Sequence, residues 1–106
     1  MNVIDTKNWY ARVNQMPSTV GPTFTASGTV IVSSSAVHAS LIMPPMQDKS
    51  LGLRLELVLE EQGIGLTALT EKSVSFSVPG YAHTTHVQIF YRGQELARID
   101  KVEVVS

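Results

Sequence analysis

Between positions 51 and 60 the chain places a leucine at every second residue, Leu51, Leu53, Leu55, Leu57 and Leu59, with Gly52, Arg54, Glu56, Val58 and Glu60 between them. A helix turning about 100° per residue would scatter these leucines around its axis, whereas a pleated strand lines them along one face. The odd leucines are therefore expected in a core, with Arg54, Glu56 and Glu60 facing water. The same two-residue period recurs along the chain and predicts an all-β protein.

Trp9, Ala11 and Val13 share a face, giving a first strand over about 8–14. Two prolines and a glycine between Met16 and Pro22 end it. Phe24, Ala26, Gly28, Val30 and Val32 define a second strand, in which Gly28 marks a bulge or the close approach of another backbone. Val37, Ala39, Leu41 and Met43 define a third, stopped by Pro44-Pro45 because proline has no N–H for a ladder. The leucine strand follows. Beyond Glu61-Gln62-Gly63, the alternation of Ile64, Leu66 and Ala68 predicts a fifth strand, and Val74, Phe76 and Val78 a sixth. Pro79-Gly80 breaks the pattern, a seventh strand carries Val87, Ile89 and Tyr91, and Arg92-Gly93-Gln94 reads as a hairpin turn. The last strand runs from about Glu95 to Val105. Its apolar phase slips from Ala97 and Ile99 to Val102 and Val104, which predicts a bulge near Asp100 or Lys101.

These eight strands, with turn signals about every ten residues and polar outer faces, read as a single antiparallel β-sandwich, with a small β-barrel as the alternative. At 106 residues the whole chain, 1–106, forms one domain and can bury a core without disulfide or metal. The absence of cysteine removes thiol nucleophiles, thiolate metal sites and redox switching. The first residues carry no basic segment followed by an apolar stretch, so a cytoplasmic location is expected. Apolar runs such as Leu41 to Met46 fall far short of the roughly 18 residues of a spanning helix, so no membrane association is expected. The net charge is −1, from eight basic and nine acidic residues, and most basic residues have an acidic neighbour. That distribution disfavours nucleic acid, which needs a basic face.

His38, His83 and His86 supply three imidazoles, the number a catalytic zinc site uses. Residues three apart on a strand point to opposite faces, so His83 and His86 could share a metal only from a loop. No acidic residue lies close to either in sequence to orient the ring. The paired-histidine signature of metal-binding jelly rolls is also missing. The expectation is therefore no metal and no cofactor. No Gly-x-Ser-x-Gly elbow is present, Glu60 and Glu61 read as a solvated strand end, and Gly63-Ile64-Gly65 is followed by no helix that could bind phosphate. No catalytic residue is assigned.

Apolar residues in the outward phase are the remaining signal. Tyr10, Ile31, Ile42, Val58 and Phe90 sit between the core positions of their strands. Gathered on one sheet they would form a contact patch. Met43 and Met46, in the Met43-Pro44-Pro45-Met46 loop, read either as adaptable binding residues or as a plug closing the sandwich end. The leading expectation is a small, non-catalytic binding or interaction module acting through an apolar sheet face or edge strand, as a homodimer or with another protein. A carrier of a small apolar molecule in an inter-sheet cavity is the alternative, and an enzyme built on His38, His83 and His86 is a weaker one.

Overall fold

The computed structural model describes residues 3–15, 21–45, 47 and 52–105. The described chain has no helix and eight strands: β1 (Val3–Asn14), β2 (Thr23–Val32), β3 (Val37–Ile42), β4 (Gly52–Glu61), β5 (Thr70–Pro79), β6 (His86–Tyr91), β7 (Gln94–Ile99) and β8 (Glu103–Val105). They form two four-stranded sheets, ordered β5-β2-β1-β8 and β3-β4-β6-β7, which do not close into a barrel. The architecture is a β-sandwich.

Both sheets are mixed. Four pairings are antiparallel, whereas β1 with β8 and β4 with β6 run parallel. The parallel pairs arise from crossings. β5 lies in the sheet opposite β4 and β6, so the chain leaves the second sheet after β4 and re-enters it travelling in the same direction.

Period-two patterning fills the space between the sheets. Phe24, Ala26, Val30 and Val32 from β2 meet Leu53, Leu55 and Leu57 from β4 and Val87 and Ile89 from β6, all buried. Leu55 is fully buried, Leu59 is half-buried, and Leu51 falls outside the described residues. On the other face of β4, Arg54 and Glu60 are exposed, but Glu56 is half-buried between Ile42 and Phe90.

Gly28 does not sit at a bulge of its own strand, since β2 pairs with β5 in unbroken register. The bulge is in β1, where Asn8 takes a left-handed conformation (φ 59) and the register shifts between Lys7 and Tyr10. The group approaching Gly28 is the Trp9 ring, whose Cε3 lies 2.2 Å from where a β-carbon would stand. A glycine is therefore required beneath the indole. At the β6–β7 hairpin, Arg92 and Gly93 both have positive φ (51 and 81) between paired Tyr91 and Gln94, the pattern of a two-residue type I′ turn.

Two expected strands are corrected. Ile64, Leu66 and Ala68 form no strand: the segment carries the chain from β4 in one sheet to β5 in the other, and every residue from Gln62 to Leu69 is exposed. The long last strand is two, because at Asp100-Lys101-Val102 the chain leaves β6's side and crosses to lie beside β1. A one-residue phase slip is the sequence signature of a crossing as much as of a bulge. The total of eight is unchanged because the strand lost after β4 is replaced by β8.

Candidate interaction surface

The outward-phase apolar residues do not gather on one face. Tyr10 and Ile31 lie on the outside of the first sheet, while Ile42, Val58 and Phe90 lie on the outside of the second. Most have a charged cover. The Tyr10 hydroxyl donates to the Glu103 carboxylate. That hydrogen bond, with smaller contributions from desolvation and the carboxylate's charge, raises the Tyr10 phenol above its ordinary value. Ile31 stands between Asp5 and Glu71, and a Lys7–Glu71 ion pair spans β2 beside it. The Arg54 guanidinium sits 3.8 Å over the Phe90 ring. Val58 is half-buried opposite Ser40, and Ile42 keeps 44% of its surface exposed.

Met43 packs against the core, and Met46 lies outside the described residues. Beyond Met43, the Gln47 carboxamide accepts from Arg54 N–H (3.0 Å) and donates to the Arg54 carbonyl (3.0 Å). In this way one side chain extends the ladder on β4 past the end of β3.

The histidines are spread out. His83 lies in the loop after Gly80, as the sequence suggests, but His86 opens β6 and its ring covers Gly52. His38 pairs across from Glu60 and His86 from Gly52, positions eight residues apart on β4. At roughly 3.3 Å per residue this separates the two rings' strand positions by roughly 26 Å. Among the described residues, no group of three or more metal-ligating side chains converges.

What the structure does expose is the β4–β5 loop. Ile64, Leu66 and Leu69 are 104%, 77% and 71% exposed. The loop's backbone is nonetheless tied at Gln62 and Leu66 to the turn between β2 and β3. Leu66 N–H donates to Ser35 Oγ (2.8 Å), Ser35 N–H donates to the Leu66 carbonyl (3.1 Å), and Gln62 N–H donates to the Ala36 carbonyl (2.8 Å). Gly65 fits closely against Ala36, where a β-carbon would lie 2.5 Å from the Ala36 nitrogen. Lys72 Nζ donates to the Ser35 carbonyl (3.0 Å) from the first turn-side residues of β5. Beside Leu69 a shallow depression of about 210 Å3 is lined by Ser33, Thr67, Ala68 and Leu69. The alternation of Ile64, Leu66 and Ala68 predicts a strand in this segment. The contrary signal was the pair Gly63 and Gly65 flanking Ile64 in a stretch without charge from Gln62 to Thr70.

A further cleft, of about 310 Å3, opens at the side of the sandwich and is lined by Val3, Tyr91, Gln94, Glu95 and Leu96. Its walls mix apolar and polar groups. Comparison with protein-family models, with curated proteins and with solved structures finds no match. No helix among the described residues is long and apolar enough to cross a membrane.

Proposed function

We propose that this chain is a non-catalytic binding module that docks on another protein through the end of the sandwich carrying Ile64, Leu66 and Leu69. The observation behind this reading is the exposure of three large aliphatic side chains within six residues, on a loop whose backbone at Gln62 and Leu66 is hydrogen-bonded to Ser35 and Ala36. Aliphatic side chains have nothing to offer a polar ligand. Covering each is worth about 1.5–3 kcal/mol before the costs of association, so leaving all three in water is an expensive arrangement for a surface with no partner. The loop's attachment also keeps the ordering cost on binding low, since its backbone hydrogen bonds already exist.

Chemical crosslinking from Lys72, which sits beside the loop, tests the reading. In native extract, crosslinks from Lys72 to a second protein are expected. They should disappear in the triple variant Ile64→Ser, Leu66→Ser, Leu69→Ser, whose thermal stability should be near wild type because all three positions are exposed. The same crosslinks in the triple variant would refute it.

A further inference from the structure

Among the described residues four strands lie at sheet edges, and β5 offers the longest uncharged stretch for pairing. Edge strands expose unpaired backbone groups, and proteins blunt them with charges, prolines, bulges or brevity. β8 has three residues, β7 carries Glu95 and Arg98 and a register shift against β6, and β3 has six residues and runs into Pro44-Pro45. β5 has ten residues in unbroken register with β2; its charges, Glu71 and Lys72, and its Pro79 lie towards the two ends, and the stretch Ser73-Val74-Ser75-Phe76-Ser77-Val78 between them contains no charge, proline or glycine. Such an uncharged stretch, with valine or phenylalanine at every second position, is the kind that adds another strand. β3 of the opposite sheet lies close to β5, but the two are not paired.

We propose that β5 pairs antiparallel with β5 of a second copy of this chain, with Ser75 on the two-fold axis. A two-fold axis at a sheet edge makes the joined strands antiparallel, and an edge that matches itself is what a closed dimer needs. The Ser75 register sets Ser73 opposite Ser77 of the second copy and Val74 opposite its Phe76. Outer hydroxyls then meet outer hydroxyls, and the half-exposed flank of Phe76 gains an apolar neighbour. Pro79 falls opposite Glu71, at the end of the ladder, where its missing N–H matters least. The same register brings Leu69 level with Tyr81 of the second copy, and both are exposed in the single chain, at 71% and 43%. The two four-stranded sheets become one of eight strands. This pairing is separate from the docking reading above; the two share Leu69 and Lys72, which falls opposite Val78 of the second copy, so only crosslinks from Lys72 to a foreign protein bear on docking.

The chain has no cysteine, so an introduced thiol reports position cleanly. Residues facing each other across an antiparallel ladder have Cα atoms about 4.5 or 5.5 Å apart, and both values suit a disulfide. Light scattering of the purified chain at micromolar concentration is expected to give about 23 kDa, twice the 11.5 kDa of one copy. Ser75→Cys should form a linked dimer under mild oxidation. Ser73→Cys and Ser77→Cys, each facing a serine, should not. Ser75→Lys, which sets two like charges opposite each other at an exposed position, should give 11.5 kDa, and Ser75→Thr should stay at 23 kDa. A wild-type mass of 11.5 kDa, or a dimer in which Ser73→Cys links as readily as Ser75→Cys, overturns the proposal. If the wild type is a single copy yet Lys72 crosslinks to a foreign protein in a loop-dependent way, the pairing fails and the docking reading stands. If the pairing holds and those crosslinks are absent, the reverse is true.

Discussion

Gly28→Ala is the sharpest probe of how this core is assembled. The new β-carbon would stand 2.2, 2.6 and 2.6 Å from three carbons of the Trp9 ring, where carbon atoms prefer about 3.5–4.0 Å. The ring must therefore move by about 1 Å or more, against a bulge whose Asn8 is already in the left-handed region. Overpacking of this kind costs about 1–3 kcal/mol, while removing a glycine's freedom from the unfolded chain returns about 0.4–1. The net expectation is a loss of up to about 2.6 kcal/mol in urea unfolding followed by circular dichroism. A double-mutant cycle isolates the cause. In a Trp9→Ala background the obstacle is gone, so Gly28→Ala should be neutral or stabilising. Trp9 is the only tryptophan, so its emission maximum should also shift in the single variant. Gly28→Ala that stabilises the wild-type protein and leaves the emission unchanged would refute the ring-over-glycine account.

Leu55→Ala, at the fully buried centre of β4, should cost about 2–5 kcal/mol by urea unfolding, and a loss under about 1 would put the leucine phase in doubt. Tyr10 should titrate above the ordinary phenol value in a spectrophotometric titration. Because folding raises it, the stability it contributes is present below about pH 10 and lost as pH rises through the folded-state value. Glu103→Ala should bring it back down, and identical tyrosine titrations in the two proteins would contradict the pairing. Zinc titrated at micromolar concentration should not bind stoichiometrically, since His38 and His86 are far apart on the second sheet. Tight binding abolished by His83→Ala or His86→Ala would contradict that geometry.

Period-two patterning made most of the fold legible, because a strand buried on one face writes its burial directly into the residue order. Leu53, Leu55 and Leu57, Phe24 and Ala26, and Val87 and Ile89 all lie where their phase put them. What periodicity does not encode is which sheet a strand joins. Ile64, Leu66 and Ala68 alternate like a strand, yet this segment has to span from one sheet to the other and is hydrogen-bonded to the turn at Ser35 and Ala36. The slip between Ile99 and Val102 carried the right position but two meanings, bulge or crossing. The exposed aliphatic loop is illegible for the same reason: alternation implies burial only where a facing sheet exists. Tyr10, Ile31 and Phe90 show the limit from the other side, because Glu103, the Lys7–Glu71 pair and Arg54 that cover them come from neighbours set by sheet order.

On the docking reading, the Ile64, Leu66 and Leu69 surface is covered when the protein works. Hydroxyl-radical footprinting compares the purified chain at high dilution with the same chain inside the cells that make it. Strong oxidation of all three side chains is expected in the dilute protein and protection in the cell, with Ile42, exposed on the outer face of the second sheet, modified equally in both. Equal oxidation of Ile64, Leu66 and Leu69 in the two settings would contradict it.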